Sequence, residues 1–360
     1  MSDVEVEIRG AVGCITLNRP KALNALSLDM IRELTQALTA WRGDAAVEAV
    51  ALRGMGKEAP FGAFCAGGDI RFFHQAALAG DSALEDFFTE EYALNHLIHN
   101  FPKPCVAFLD GVVMGGGMGI SQGARLRIVT ERTTMAMPET GIGLFPDVGG
   151  GYFLSRCPGR IGEYLALTGQ VIGAHDALAS GLADVAVPSA RLPSLWDALA
   201  THGMPALASL QPANAIESIA GHAQLVSARI EIDQYFGLDS VPAIVRALES
   251  GASAWAQDTA AALRKRSPLM LHVALEQIRR GRTMDLADDL RMERGLMHRC
   301  FHLRPGAAGE TIEGIRAQAV DKDHHPRWNP ACIEDVTPAM VAPFFVSPWA
   351  VHAHPLRGLR

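Results

Sequence analysis

No two of the six cysteines (14, 65, 105, 157, 300 and 332) are spaced C-x-x-C. Scattered cysteines give neither a disulfide frame nor a zinc site, and they suit small buried residues in a reducing, cytoplasmic compartment. Positive charge is scarce. The formal net charge is −7 and the one basic run is Arg264-Lys265-Arg266, which argues against nucleic acid or an anionic membrane as the main partner. Long apolar runs are missing too. The longest weakly charged stretch, Cys105 to Gly123, is broken by Asp110 and six glycines, so it is too short and too irregular to span a membrane. The N-terminal Met1-Ser2-Asp3-Val4-Glu5-Val6-Glu7 is acidic and alternating, without the basic and apolar regions of a secretory signal or the arginines of a transit peptide. There is no H-E-x-x-H, no P-loop lysine, no internal repeat and no low-complexity segment. The dinucleotide pattern G-x-G-x-x-G fails at Ile120.

What is present is the composition of an ordinary globular protein, 49% hydrophobic and 20% charged over 360 residues, enough for one large domain or two. Alternation predicts a strand pair over 4–9 and 12–17. Ser27 reads as the cap of an amphipathic helix stopped by Gly43. Further strands are expected at 47–52, 105–109, 126–130 and 183–187, with helical pattern over about 82–100. Strands and helices alternate to about residue 200, which is the grammar of an α/β fold. Beyond it helices dominate, one starting at Ser267-Pro268. The division expected is therefore 1–200 as a core and 201–360 as a helical region packing on it. The polar tail 321–330 carries Trp328 and should be ordered by docking.

Chemistry concentrates in Met137-Pro138-Glu139-Thr140-Gly141-Ile142-Gly143-Leu144-Phe145-Pro146-Asp147-Val148-Gly149-Gly150-Gly151. Two carboxylates stand there among glycine, proline and apolar residues, and on composition alone they read as solvated acids of a surface loop. Were they enclosed, their pKa values would shift. Two glycine clusters, Ala66-Gly67-Gly68-Asp69 and Gly115-Gly116-Gly117, each follow a strand. Alone, each is an ordinary turn; together, their N–H groups can hold an oxyanion. Gly119-Ile120-Ser121-Gln122-Gly123 matches the nucleophile elbow G-x-S-x-G, with Asp147 and His175 in hydrolase order, but a glycine run and not a strand precedes the serine. The histidine pairs 96/99 and 298/302 have helical spacing and no evident third ligand, so they read as solvated or capping residues. Glu90 and Glu91 read as a solvated helix face, and the run from Met292 to Met297 as packing.

Four segments in order and spacing resemble the crotonase (enoyl-CoA hydratase/isomerase) superfamily: Asn18-Arg19-Pro20 with Asn24-Ala25-Leu26, Phe64 to Ile70, the Gly115 triplet, and Pro138-Glu139. The resemblance implies a ββα spiral core that binds acyl-coenzyme A, with Gly68 and Gly116 donating to the thioester carbonyl. Ala66, Gly67, Asp69 and Gly115 would line that site. Hydratases of the superfamily carry a second glutamate where this chain has Gly119. The Glu139 to Leu154 segment and the Asp321-Lys322-Asp323 tail with Pro326 and Trp328 are similar to a thioester-hydrolysing branch, nearly over the full length. That similarity implies hydrolysis of a short branched 3-hydroxyacyl thioester. It makes Glu139 the main catalytic carboxylate, either nucleophile or general base, Asp147 its partner, and Glu91 a contact to the hydroxyacyl end. A thioester is already activated, so no metal and no cofactor beyond the substrate's coenzyme A are expected. A homo-oligomer is suggested as well.

Overall fold

The structure is a computed structural model that describes residues 2–57, 60–208, 210, 219, 221–304 and 306–360. It divides into two compact units between which the chain passes repeatedly: residues 1–68, 93–136 and 171–226 form the first, and 69–92, 137–170 and 227–360 the second.

The first unit holds the strands: β1 (Val4–Arg9), β2 (Val12–Leu17), β3 (Ala49–Gly54), β4 (Cys105–Leu109), β5 (Val112–Met114), β6 (Leu126–Val129), β7 (Thr134–Ala136) and β8 (Val185–Ala186). Six make one sheet in the order β1-β2-β3-β4-β6-β8, while β5 and β7 pair separately. Among the described strand pairs only β1–β2 is antiparallel, a hairpin pairing Val4 with Leu17 and Arg9 with Val12. The other pairings are parallel. Parallel strands covered on both faces need continuous apolar runs, and β2 and β4 are buried at every residue. One core cluster joins Phe61, Phe108, Trp196 and Leu199 to the sheet residues Val12, Ala49, Val106 and Ile128.

Local signals located the six strands of the main sheet but not the pair β5 and β7. Ser27 caps the helix Leu28–Arg42, accepting from Met30 N at 3.2 Å. Asn24 explains its own place in the sequence. It is fully buried with φ 56°, a left-handed conformation in which asparagine is among the few tolerated side chains. Its amide donates to Met55 O, Ala63 O and Phe64 O at 3.0–3.1 Å, fastening the loop that leads to the first glycine cluster.

The second unit is helical. Ser267 caps Pro268–Gly281, and Asp285 caps the long helix Leu286–His302. The expected order of the tail is seen: Glu313 accepts from Arg327 N at 2.8 Å and Glu310 from Asn329 N at 2.6 Å. Arg316 also bonds Asp323 at 2.7 Å.

Candidate active site

In the first unit the two glycine clusters lie against one another. Cys65 N donates to Val112 O (2.9 Å), and Met114 N returns to Cys65 O (2.9 Å). Ala66 N is held by Leu23 O at 3.0 Å, and Gly67 O accepts from Leu26 N at 2.8 Å. Gly67 has φ +100°, and a side chain on it would approach Met114 O to 3.2 Å and Gly116 N to 3.4 Å. Glycine is therefore required twice over, by conformation and by contact. Gly115 (φ 49°) then turns the chain into the short helix Gly116–Gln122. The N–H groups of Gly68 and Gly116 have no hydrogen-bond partner among the described residues. Gly116 is buried and Gly68 partly so, and buried backbone donors are rarely left this way.

Ser121 lies inside that helix, fully buried, its hydroxyl donating to Gly117 O at 2.8 Å and Met118 O at 3.1 Å. It does not stand on a strand-to-helix turn, so the nucleophile elbow is absent.

In the second unit, the reading of Glu139 and Asp147 as solvated acids fails: each is 7% exposed. Glu139 opens a 3₁₀ turn, Glu139–Ile142, which ends at Gly143 with φ 71°. A Cβ on Gly143 would stand 2.2 Å from Glu310 O, so the turn closes tightly there. Glu91, expected on a solvated face, is only 2% exposed. Burial pushes the Glu91 carboxyl well above its usual range, and the charges of Asp147 and Glu139 add to this. Burial and then Asp147 raise Glu139 likewise. Asp147 is pushed up to about 7 by burial, with the Tyr92 hydrogen bond pulling the other way. Tyr92 Oη donates to Asp147 Oδ2 at 2.9 Å and is fully buried. One oxygen each of Glu91 and Glu139 has no partner among the described residues. Three carboxylates thus influence one another out of water, which is the environment that tunes acid–base groups. Asp69, by contrast, caps the helix Ile70–Ala79, with its Oδ1 3.4 Å from Phe72 N.

Four residues escaped the sequence reading. Tyr92 is one. Glu293, in the run taken for packing, accepts from Gly149 N (2.7 Å) and Gly151 N (2.8 Å). Gln277 Nε2 donates to Glu293 Oε1 (2.9 Å) and to Pro146 O (2.6 Å). Asp289 Oδ2 accepts from Tyr152 N at 2.9 Å. The Asp147 loop is thus held by side chains from two helices. The only signal in the sequence was a glutamate and an aspartate one turn apart inside an otherwise core-facing helix.

The chain belongs to the enoyl-CoA hydratase/isomerase family, whose model matches residues 12–345, and its fold is the crotonase-like α/β fold of that family. Among its curated relatives are 3-hydroxyisobutyryl-CoA hydrolases. The mitochondrial protein of Gallus gallus is 40% identical over 355 residues, covering 94% of this chain and 88% of the relative. A probable 3-hydroxyisobutyryl-CoA hydrolase of Arabidopsis thaliana is 40% identical, covering 96% and 91%. Two crystal structures are similar nearly throughout, each with a TM-score of 0.87. One is a carnitinyl-CoA dehydratase from Mycobacterium thermoresistibile, 38% identical and covering 96% of this chain and 97% of the other. The second is an enoyl-CoA hydratase from Rhodobacter sphaeroides, 40% identical and covering 96% and 98%.

Proposed function

We propose that this protein hydrolyses 3-hydroxyisobutyryl-CoA to 3-hydroxyisobutyrate and coenzyme A, a step of valine breakdown. The observation that carries the reading is the buried Glu139 beside an Asp147 anchored by Tyr92. The names of the curated relatives supply the substrate. The Gly68 and Gly116 N–H groups receive the thioester oxygen as it becomes an oxyanion. Glu139 either attacks the carbonyl, expelling the thiol and leaving a mixed anhydride for water, or takes a proton from the attacking water. A carboxylate raised by burial is the better base near neutrality. Asp147 and Glu91 orient water and the substrate hydroxyl.

A second reading, hydration or isomerisation of an enoyl thioester, is favoured by the names of the two similar crystal structures. Against it stands Gly119, where a hydratase's second glutamate would be. Free-thiol release from 3-hydroxyisobutyryl-CoA, followed in parallel with crotonyl-CoA absorbance, separates them. Thiol release with a steady crotonyl signal supports the hydrolase; loss of the crotonyl signal without thiol supports the hydratase. Glu139→Gln should lower thiol release by roughly 10²–10⁴-fold while acyl-CoA binding persists. Retained turnover would remove Glu139 from the mechanism.

The compartment we propose is a reducing one. None of the six cysteines forms a disulfide among the described residues, which suits the cytoplasm, and the vertebrate relatives are named mitochondrial. No helix is long and apolar enough to cross a membrane among the described residues.

A further inference from the structure

The histidines 298 and 302, which the sequence left without a third ligand, acquire one in the fold. Glu85 Oε1 lies 2.7 Å from His302 Nε2 and 3.2 Å from His298 Nδ1. The three ligand atoms lie within 4.8 Å of one another. The two imidazoles are one turn apart on the helix Leu286–His302, and Glu85 comes from the first turn of Ala83–His99.

We propose that Glu85, His298 and His302 bind one divalent transition-metal ion, zinc being the best match to two imidazoles and a carboxylate. Zinc takes nitrogen and oxygen ligands at about 2.0–2.2 Å in a tetrahedron, which puts ligand atoms about 3.3 Å apart. The separation of 3.2 Å already meets this, and the 2.7 Å one must open slightly. His302 is half-exposed. Water would complete the tetrahedron.

The carboxylate is already oriented. The Arg294 guanidinium, 1% exposed, pairs with Glu85 Oε2, and is itself pinned by Thr89 Oγ1 (3.0 Å) and Glu85 O (3.2 Å). Oε2 is taken and Oε1 is turned to the imidazoles, the arrangement by which a neighbour fixes a metal ligand. His298 is backed by Trp349, ring centroids 5.0 Å apart. The guanidinium charge nearby also sets a limit. It repels a dication, so the affinity expected is micromolar, not that of a buried site with several anionic ligands. The ion's role is structural. It ties the segment that carries Glu91 and Tyr92, six and seven residues beyond Glu85, to the helix that carries Glu293.

The test is zinc titration of the full chain in competition with a chromogenic chelator. A Cys332→Ser background removes the one exposed thiol. The expected result is one ion per chain with micromolar affinity, and cobalt substituted for zinc should give the visible bands of a four-coordinate site. His302→Ala and His298→Ala should each weaken binding by on the order of tenfold or more, and zinc should raise the melting temperature of the parent but not of the variants. His302→Gln, which keeps the side-chain volume, guards against a folding defect. Absence of saturable binding in the parent, or unchanged affinity in the His298/His302 double variant, would overturn the site.

Discussion

Tyr92 shows how much one hydroxyl can decide. It donates to Asp147 Oδ2 at 2.9 Å, and a hydrogen bond to a carboxylate favours the ionised form. Asp147 stands at about 7 with that bond in place. Tyr92→Phe removes the donor, so Asp147 should hold its proton to higher pH. Where turnover needs ionised Asp147, the acidic limb of the kcat profile should move up by about one pH unit, the worth of a charged hydrogen bond. A limb that stays in place after the substitution would mean that it belongs to another group.

At the scale of elements, the Asp147 loop is held by what two helices send into it. Glu293 receives three donors, Gly149 N, Gly151 N and Gln277 Nε2, whereas Asp289 receives Tyr152 N. Burial raises both carboxyls, Asp289 to about 7 and Glu293 well above its usual value, each with the other close by. Two such groups share one proton readily, but three donors converge on Glu293 and one on Asp289, so the two isosteric substitutions should differ. Asp289→Asn keeps an oxygen to accept from Tyr152 N, and should leave kcat and melting temperature near the parent's. Glu293→Gln turns an amide donor toward backbone donors, costing about 1–3 kcal/mol of stability, and should lower kcat more than it raises KM. Equal damage from both would mean that the donors converging on Glu293 are not what holds the loop.

For the molecule as a whole, what the sequence discloses is what neighbours in the chain decide. The Gly67 turn and the Ser27 and Ser267 caps follow from local conformation, and each was legible. The ionisation of the candidate site was not, because its causes lie far off along the chain: Tyr92 meets Asp147 across 55 residues, and Glu293 meets Gly149 across 144. Glu91 looked solvated for the same reason, since only folding encloses it. The same enclosure has a consequence for the endurance of the protein. Unfolded, Asp147 titrates near 3.9; folded, it titrates at about 7. Between those values the native state holds a proton that the unfolded chain gives up, so stability must decline as pH rises through that window and level off above it. Asp147→Asn abolishes the titration. Its melting temperature should exceed the parent's above neutrality, by an amount that corresponds to a few kcal/mol at roughly 1.4 kcal/mol per pKa unit, and the two curves should converge toward about pH 4. Thermal melts across that range measure the difference, and parallel curves would deny it. The carboxylates that would make this protein a catalyst are, on this account, what makes it melt sooner in alkali, and its working pH is a compromise between turnover and lifetime.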